Sequence, residues 1–95
     1  MPAYVIANIA VTDPTGYEEY RKLSAPSVEK YGGRYLARGG AAEKLEGTWE
    51  PQRLAVVEFP TLEQARRWYA SEDYGKAKPI RWRTARADLL LVEGV

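Results

Sequence analysis

The chain contains no cysteine and no histidine. The first absence excludes a disulfide framework, a thiolate nucleophile and any sulfur-ligated metal. The second removes the commonest general base, the commonest metal ligand and the usual proximal haem ligand together. An excess of one charge is also missing: 14 basic residues stand against 13 acidic ones, a net charge of +1, which argues against a polyanion-seeking surface. There is no long hydrophobic run. The N-terminal stretch MPAYVIANIAV is too short to span a bilayer and carries no basic leader. A cytoplasmic protein without membrane association is therefore the expectation.

What is present is ordinary for a globular protein: 95 residues, 45 % hydrophobic and 28 % charged, predict one domain over 1–95 with one core. A domain this small leaves much of its surface outside that core, which makes association a further source of stability.

Tyr4 to Val11 reads as a strand. Asp13 caps the helix that follows, and Pro14 takes the first helical position, where proline is best tolerated. Tyr17, Tyr20, Val28 and Tyr31 share one face of this helix, and Pro26 predicts a kink or break near Ser24-Ala25. Gly32-Gly33 stops the helix. A second strand spans Arg34 to Arg38, with a bend or bulge at Gly39-Gly40 and a resumption across Ala41 to Glu46. After the polar turn at Gly47–Pro51, Arg53 to Phe59 forms a third strand. Thr61-Leu62-Glu63-Gln64 is a capping box opening a second helix, with Leu62, Ala65, Trp68 and Tyr69 on its inner side. A turn capped by Ser71, a short helix from Pro79 towards Arg86 and a last strand from Asp88 to Glu93 complete the chain.

The order is strand, helix, strand, strand, helix, strand. Right-handed crossovers turn it into an α+β, ferredoxin-like βαββαβ arrangement: a four-stranded antiparallel sheet, first and third strands central, with two main helices on one face. In the first strand Val5, Ala7, Ile9 and Val11 point one way and Tyr4, Ile6, Asn8 and Ala10 the other, while Leu89, Leu90, Leu91 and Val92 make the last strand apolar on both faces. A half-solvated sheet alternates apolar with polar, and these strands do not. Helices cover one face only, so a homodimer packed through the other is expected. The alternative is that the segment from Ser71 to Arg86 folds over the open face of a monomer.

Strand one with Asp13-Pro14, Tyr17 and Tyr20, then GGRYLARGG, Leu45-Glu46-Gly47 with Trp49, Glu58-Phe59-Pro60, Ser71 with Tyr74 and the final Val92-Glu93-Gly94 occur in an order that resembles domain-of-unknown-function family 1330, over nearly the whole chain. That family is similar in fold to the dimeric α/β-barrel superfamily, in which two ferredoxin-like sheets pack face to face. The resemblance implies a dimer. It implies no particular reaction, since the superfamily holds cofactor-free monooxygenases, isomerases, haem-degrading enzymes and members without known activity. Without histidine, chemistry here falls to carboxylates, tyrosines, arginines or the substrate itself.

Arg38, held between glycine pairs, offers a fixed bidentate cation to a carboxylate or enolate, or else protects a sheet edge together with Arg34. Glu58, in an otherwise apolar strand, is the candidate base, with pairing to an arginine as the plainer role. Asn8 either orients a ligand carbonyl or bonds to backbone. Tyr17, Tyr20, Tyr31, Tyr35 and Tyr74, with Trp68 and Trp82, are core or interface before they are a planar-ligand pocket. The basic run Lys76, Lys78, Arg81, Arg83 and Arg86 around Trp82 reads as a solvated helix face. Its strand–helix order resembles RNA-recognition domains, but RLAVVEFP lacks their basic-Gly-aromatic signature, so nucleic acid is not expected. The acidic residues have no metal-ligand spacing, and neither metal nor cofactor is expected.

The expected function is therefore a small-molecule binder or cofactor-independent enzyme. Its pocket is expected between sheet and helices, lined by Asn8, Tyr20, Arg38, Glu58 and Trp68, with Arg38 steadying an anionic oxygen and Glu58 moving a proton. A structural or interaction module without catalysis is the competing reading. A partly apolar cavity beside an unpaired Arg38 favours the binder; a filled interior with Arg38 and Glu58 paired favours the module.

Overall fold

A computed structural model describes residues 1–95. The elements are β1 (Ala3–Val11), α1 (Pro14–Lys30), β2 (Arg34–Arg38), β3 (Arg53–Phe59), α2 (Leu62–Ala70), α3 (Glu72–Thr84) and β4 (Ala85–Glu93). The sheet is antiparallel in the order β2-β3-β1-β4, so β1 and β3 are central as the sequence pattern requires. The fold is the ferredoxin-like α+β arrangement, with a third helix added before the last strand.

Alternation decides which face is covered. Ala3, Val5, Ala7 and Ile9 of β1 are buried against the helices with Val57 and Phe59 of β3, and Tyr4, Ile6, Asn8 and Ala10 point to the opposite, open side. Tyr17, Tyr20 and Val28 of α1, Ala65 and Trp68 of α2, and Tyr74 and Ala77 of α3 complete the core. Burying each of the larger aliphatic and phenyl side chains among these contributes about 1.5–3 kcal/mol before entropy is set against it.

The helix ends follow the expected chemistry. Asp13 accepts from the Gly16 N–H at 3.2 Å and Thr61 from the Gln64 N–H at 3.1 Å. Gly32, at φ +82°, adopts the left-handed turn that ends α1.

Several expectations are corrected. α1 runs through Pro26 without a break, and α3 is one helix through Pro79 rather than a turn plus a short helix. The carbonyls these prolines free belong to Lys22 and Gly75, which lie exposed, so water can satisfy them. No strand resumes across residues 41–46; the chain from Gly40 to Gln52 is exposed and irregular apart from half-buried Pro51. The chain does bend at Gly39, which sits at φ +72°, but the bulge lies earlier, between Tyr35 and Ala37. The segment from Ser71 to Arg86 does not cover the open face: α3 packs on α1, and Arg86 already belongs to β4. No helix is long and apolar enough to cross a membrane.

Candidate functional site

α1 lies mainly against α3 and is held off the sheet. Between α1 and the sheet lies a cavity of about 50 Å³, with Tyr17 and Tyr20 among its lining residues from α1 and Tyr35 and Arg38 from β2. Its floor is Val5, Ala7 and Ile9 of β1 with Ala55 and Val57 of β3, and Trp68 and Tyr74 close its inner end. At its polar side stand Arg21, Arg38 and Arg53 with Tyr35, and no carboxylate lines it.

A one-residue bulge brings Arg38 there. Tyr35 pairs with Val57 and Arg38 with Ala55, both helix-facing, whereas Arg34 and Ala37 pair with Glu58 and Val56 on the open side. Strict alternation would have put Arg38 beside Arg34. The extra residue, Leu36, re-aims it under α1. The Arg38 guanidinium carbon lies 4.4 Å from the Tyr35 ring centroid, a cation–π contact worth about 0.5–1 kcal/mol at an exposed site. Neither Arg38 nor Arg53 has a carboxylate within ion-pair distance, and Arg21 is paired with Glu18 at 3.2 Å. Burial pushes the Tyr35 phenol up, with Arg38 pulling the other way, and pushes Tyr17 up to about 12, opposed by Arg53 and Arg21. These phenols are neutral hydrogen-bonding groups at ordinary pH.

The inner wall is an aromatic stack tied by hydroxyls. Trp68 stands 4.1 Å from Tyr74 and 5.4 Å from Phe59, centroid to centroid. Its indole N–H donates to Ser27 Oγ at 3.0 Å, and Ser27 in turn donates to the Ser24 carbonyl at 2.6 Å. The Tyr20 and Tyr74 hydroxyls share a 2.8 Å hydrogen bond, and Arg81 Nη1 donates to Tyr74 Oη at 2.5 Å.

Of the five residues expected to share a pocket, the structure brings together Tyr20, Arg38 and Trp68. Asn8 and Glu58 are not there. Both lie on the open face of the sheet, since Asn8 pairs with Leu54, and Glu58 with Tyr4 and Arg34. Asn8 accepts from the Gln52 N–H at 2.7 Å and donates to the Glu50 carbonyl at 3.4 Å, tethering the β2–β3 loop. Glu58 accepts from Arg34 Nε at 2.8 Å. The reading of the basic run is corrected as well: Arg81 is 5 % exposed and belongs to the core side of α3, although Lys76, Arg83 and Trp82 are exposed. Sequence reasoning also missed Arg53, Ser24 and Ser27. The spacing Tyr74, Ala77, Arg81, Thr84 is that of a helix's inner face and was the available signal for Arg81.

The family model described as "Domain of unknown function (DUF1330)" matches residues 2–95. No curated protein matches the chain. Among solved structures it is similar to the RPA0582 protein of unknown function from Rhodopseudomonas palustris (17 % identity, TM-score 0.78), over 99 % of this chain and 82 % of that one. It is also similar to SnoaB, a cofactor-independent oxygenase from Streptomyces nogalater (11 % identity, TM-score 0.68), over 99 % and 93 % of the two chains. A third is Rv0793 from Mycobacterium tuberculosis, at 14 % identity and TM-score 0.58, over 100 % and 96 %. These identities carry the fold alone, the ferredoxin-like α+β arrangement described above. By the match over residues 2–95, this chain belongs to the DUF1330 family.

Proposed function

We propose that the cleft between α1 and the sheet binds a small anionic organic molecule, its charged oxygen held by Arg38 and Arg53 and its apolar part set against Trp68 and the floor of β1. The observation that carries this reading is the set of arginines at a partly apolar cavity that no carboxylate lines. Unpaired guanidinium groups beside apolar walls select a planar carboxylate, enolate or phenolate. The cavity of about 50 Å³ admits a few waters as it stands. A ring enters when Arg38, which is exposed, swings off Tyr35.

The catalytic form of this reading is cofactor-independent chemistry on the bound anion, as the likeness to SnoaB suggests. In that form Arg38 steadies the anionic oxygen. Glu58 is not its base, because it sits across the sheet and is bonded to Arg34. The module reading asked for Arg38 and Glu58 to be paired, and they lie on opposite faces.

A second copy of the chain belongs to the same proposal. Leu90 and Val92, 62 % and 43 % exposed, share the open face with Ile6, Leu54 and Val56, an apolar area that three helices on the far side leave bare. The cytoplasm is the proposed setting, and no nucleic acid is assigned.

Calorimetric titration with benzoate tests the cleft. Arg38→Ala and Arg53→Ala are each expected to weaken binding about tenfold or more, by loss of a charged hydrogen bond, with Glu58→Gln silent. Equal affinity in all four proteins would refute the site. Native mass spectrometry of protein purified without added ligand would identify a retained occupant.

A further inference from the structure

Arg81 is the one charged residue in the buried set, 5 % exposed, and no carboxylate lies within ion-pair distance of it. A buried charge is ordinarily paired. Here the guanidinium donates to the Tyr74 hydroxyl at 2.5 Å, and that hydroxyl shares a 2.8 Å bond with Tyr20. Both rings line the cavity under α1.

The donor inventory, with Arg81 closest to Tyr74, favours one order for this chain. Arginine can only donate, and each phenol has a single proton. One lone pair of the Tyr74 oxygen is taken by a charged donor, which makes it a poorer acceptor and makes its own O–H a stronger donor. Tyr74 stays protonated, since burial pushes it far above the ordinary tyrosine range. Donation then runs from Arg81 to Tyr74 to Tyr20, which leaves the Tyr20 proton free for an acceptor outside the pair.

We propose that Arg81 is a positioning residue that acts through Tyr74 to hold Tyr20 as a hydrogen-bond donor into the cleft, so that the ligand is a planar anion carrying a second, acceptor oxygen away from its acid group. This rests on the anion-binding reading and adds to it. The ligand is gripped at two ends, by arginine at the acid and by a tyrosine hydroxyl at a phenolic or carbonyl oxygen. A site built to bond an oxygen discriminates against the analogue without one, because its polar group is then left unpaired.

The test compares 4-hydroxybenzoate with benzoate on the full-length protein. The wild type is expected to favour 4-hydroxybenzoate by about tenfold, the usual worth of one well-placed hydrogen bond. Tyr20→Phe is expected to abolish the preference. Arg81→Met is expected to cut it to below about threefold, and Arg81→Lys, which keeps a charged donor, to restore part of it, a pattern that loss of packing alone would not give. The free protein supplies a readout without ligand or variant: with isotope-labelled tyrosine, the shared hydroxyl proton is expected on Tyr74. A proton residing on Tyr20 overturns the proposal. Benzoate binding with no hydroxyl preference overturns it alone and leaves the arginine cleft standing. Failure of both probes to bind the wild type refutes the cleft, and this assignment with it.

Discussion

Arg38 stacks on Tyr35, 4.4 Å from guanidinium carbon to ring centroid, although residues three apart in a strand belong on opposite faces. The bulge at Leu36 reconciles the two, and it makes an unusual prediction about deletion. Removing one residue from a strand normally flips everything beyond it. Removing Leu36 here restores regular pairing while leaving Arg34 and Ala37 on the open face and Tyr35 and Arg38 under α1. The deletion variant is expected to bind benzoate within about threefold of wild type, less than the change one lost charged hydrogen bond brings. A loss of a hundredfold would show that the bulge does not set the direction of Arg38.

Ser27 is a small residue with a large role, because its hydroxyl accepts the only hydrogen bond of the buried Trp68 indole. Ser27→Ala is expected to cost about 1–3 kcal/mol, the cost of leaving a buried donor unsatisfied. For a domain of this size each kcal/mol lowers Tm by about 4–8 °C. Thermal unfolding checks it, and an unchanged Tm would mean that the indole finds another partner.

Alkaline pH should weaken the fold through Tyr17. Its folded phenol is held up to about 12 by burial, against an ordinary value of 10.0. Between these values the unfolded chain loses its proton and the folded one does not, so the stabilisation is whole below pH 10 and drains away towards pH 12. The loss over that window is roughly 2–3 kcal/mol from this residue. Tyr35 and Tyr74, also shifted up by burial, act in the same direction. Denaturant midpoints at pH 9 and pH 11 measure the slope, which should be shallower in Tyr17→Phe.

Leu90, on the edge strand β4 beside Ile6 of β1, faces the bare side of the sheet and is 62 % exposed. If a second copy covers that face, Leu90→Asp places a charge in an apolar interface and should convert dimer to monomer at micromolar concentration in native mass spectrometry. A wild-type protein already monomeric would remove the basis for the proposed pairing.

Much of this fold was legible because hydrophobic alternation and caps are local. The two faces of β1, the caps at Asp13 and Thr61 and the central position of β1 and β3 all follow from short stretches of chain. The site was legible only in part. Asn8 shares a strand face with Tyr4 and Ile6, and parity separates it from a pocket under the helices once that face is known to be the open one. Glu58 needed the β1–β3 register, which is a long-range property. Arg38 depended on a bulge within RYLAR, where no residue type announces one. Pro26 and Pro79 misled because a proline's effect depends on whether the freed carbonyl faces water, and exposure is a tertiary fact. Arg81 was concealed by its basic neighbours.

The three tryptophans are unequally placed: Trp49 and Trp82 are 59 % and 64 % exposed, while Trp68 is 3 % exposed at the inner end of the cleft. A water-soluble quencher should therefore extinguish the emission of the first two and spare the third. What persists is a blue-shifted signal from Trp68 alone, a reporter of cleft occupancy built into the chain, which lets candidate acids be screened without any label.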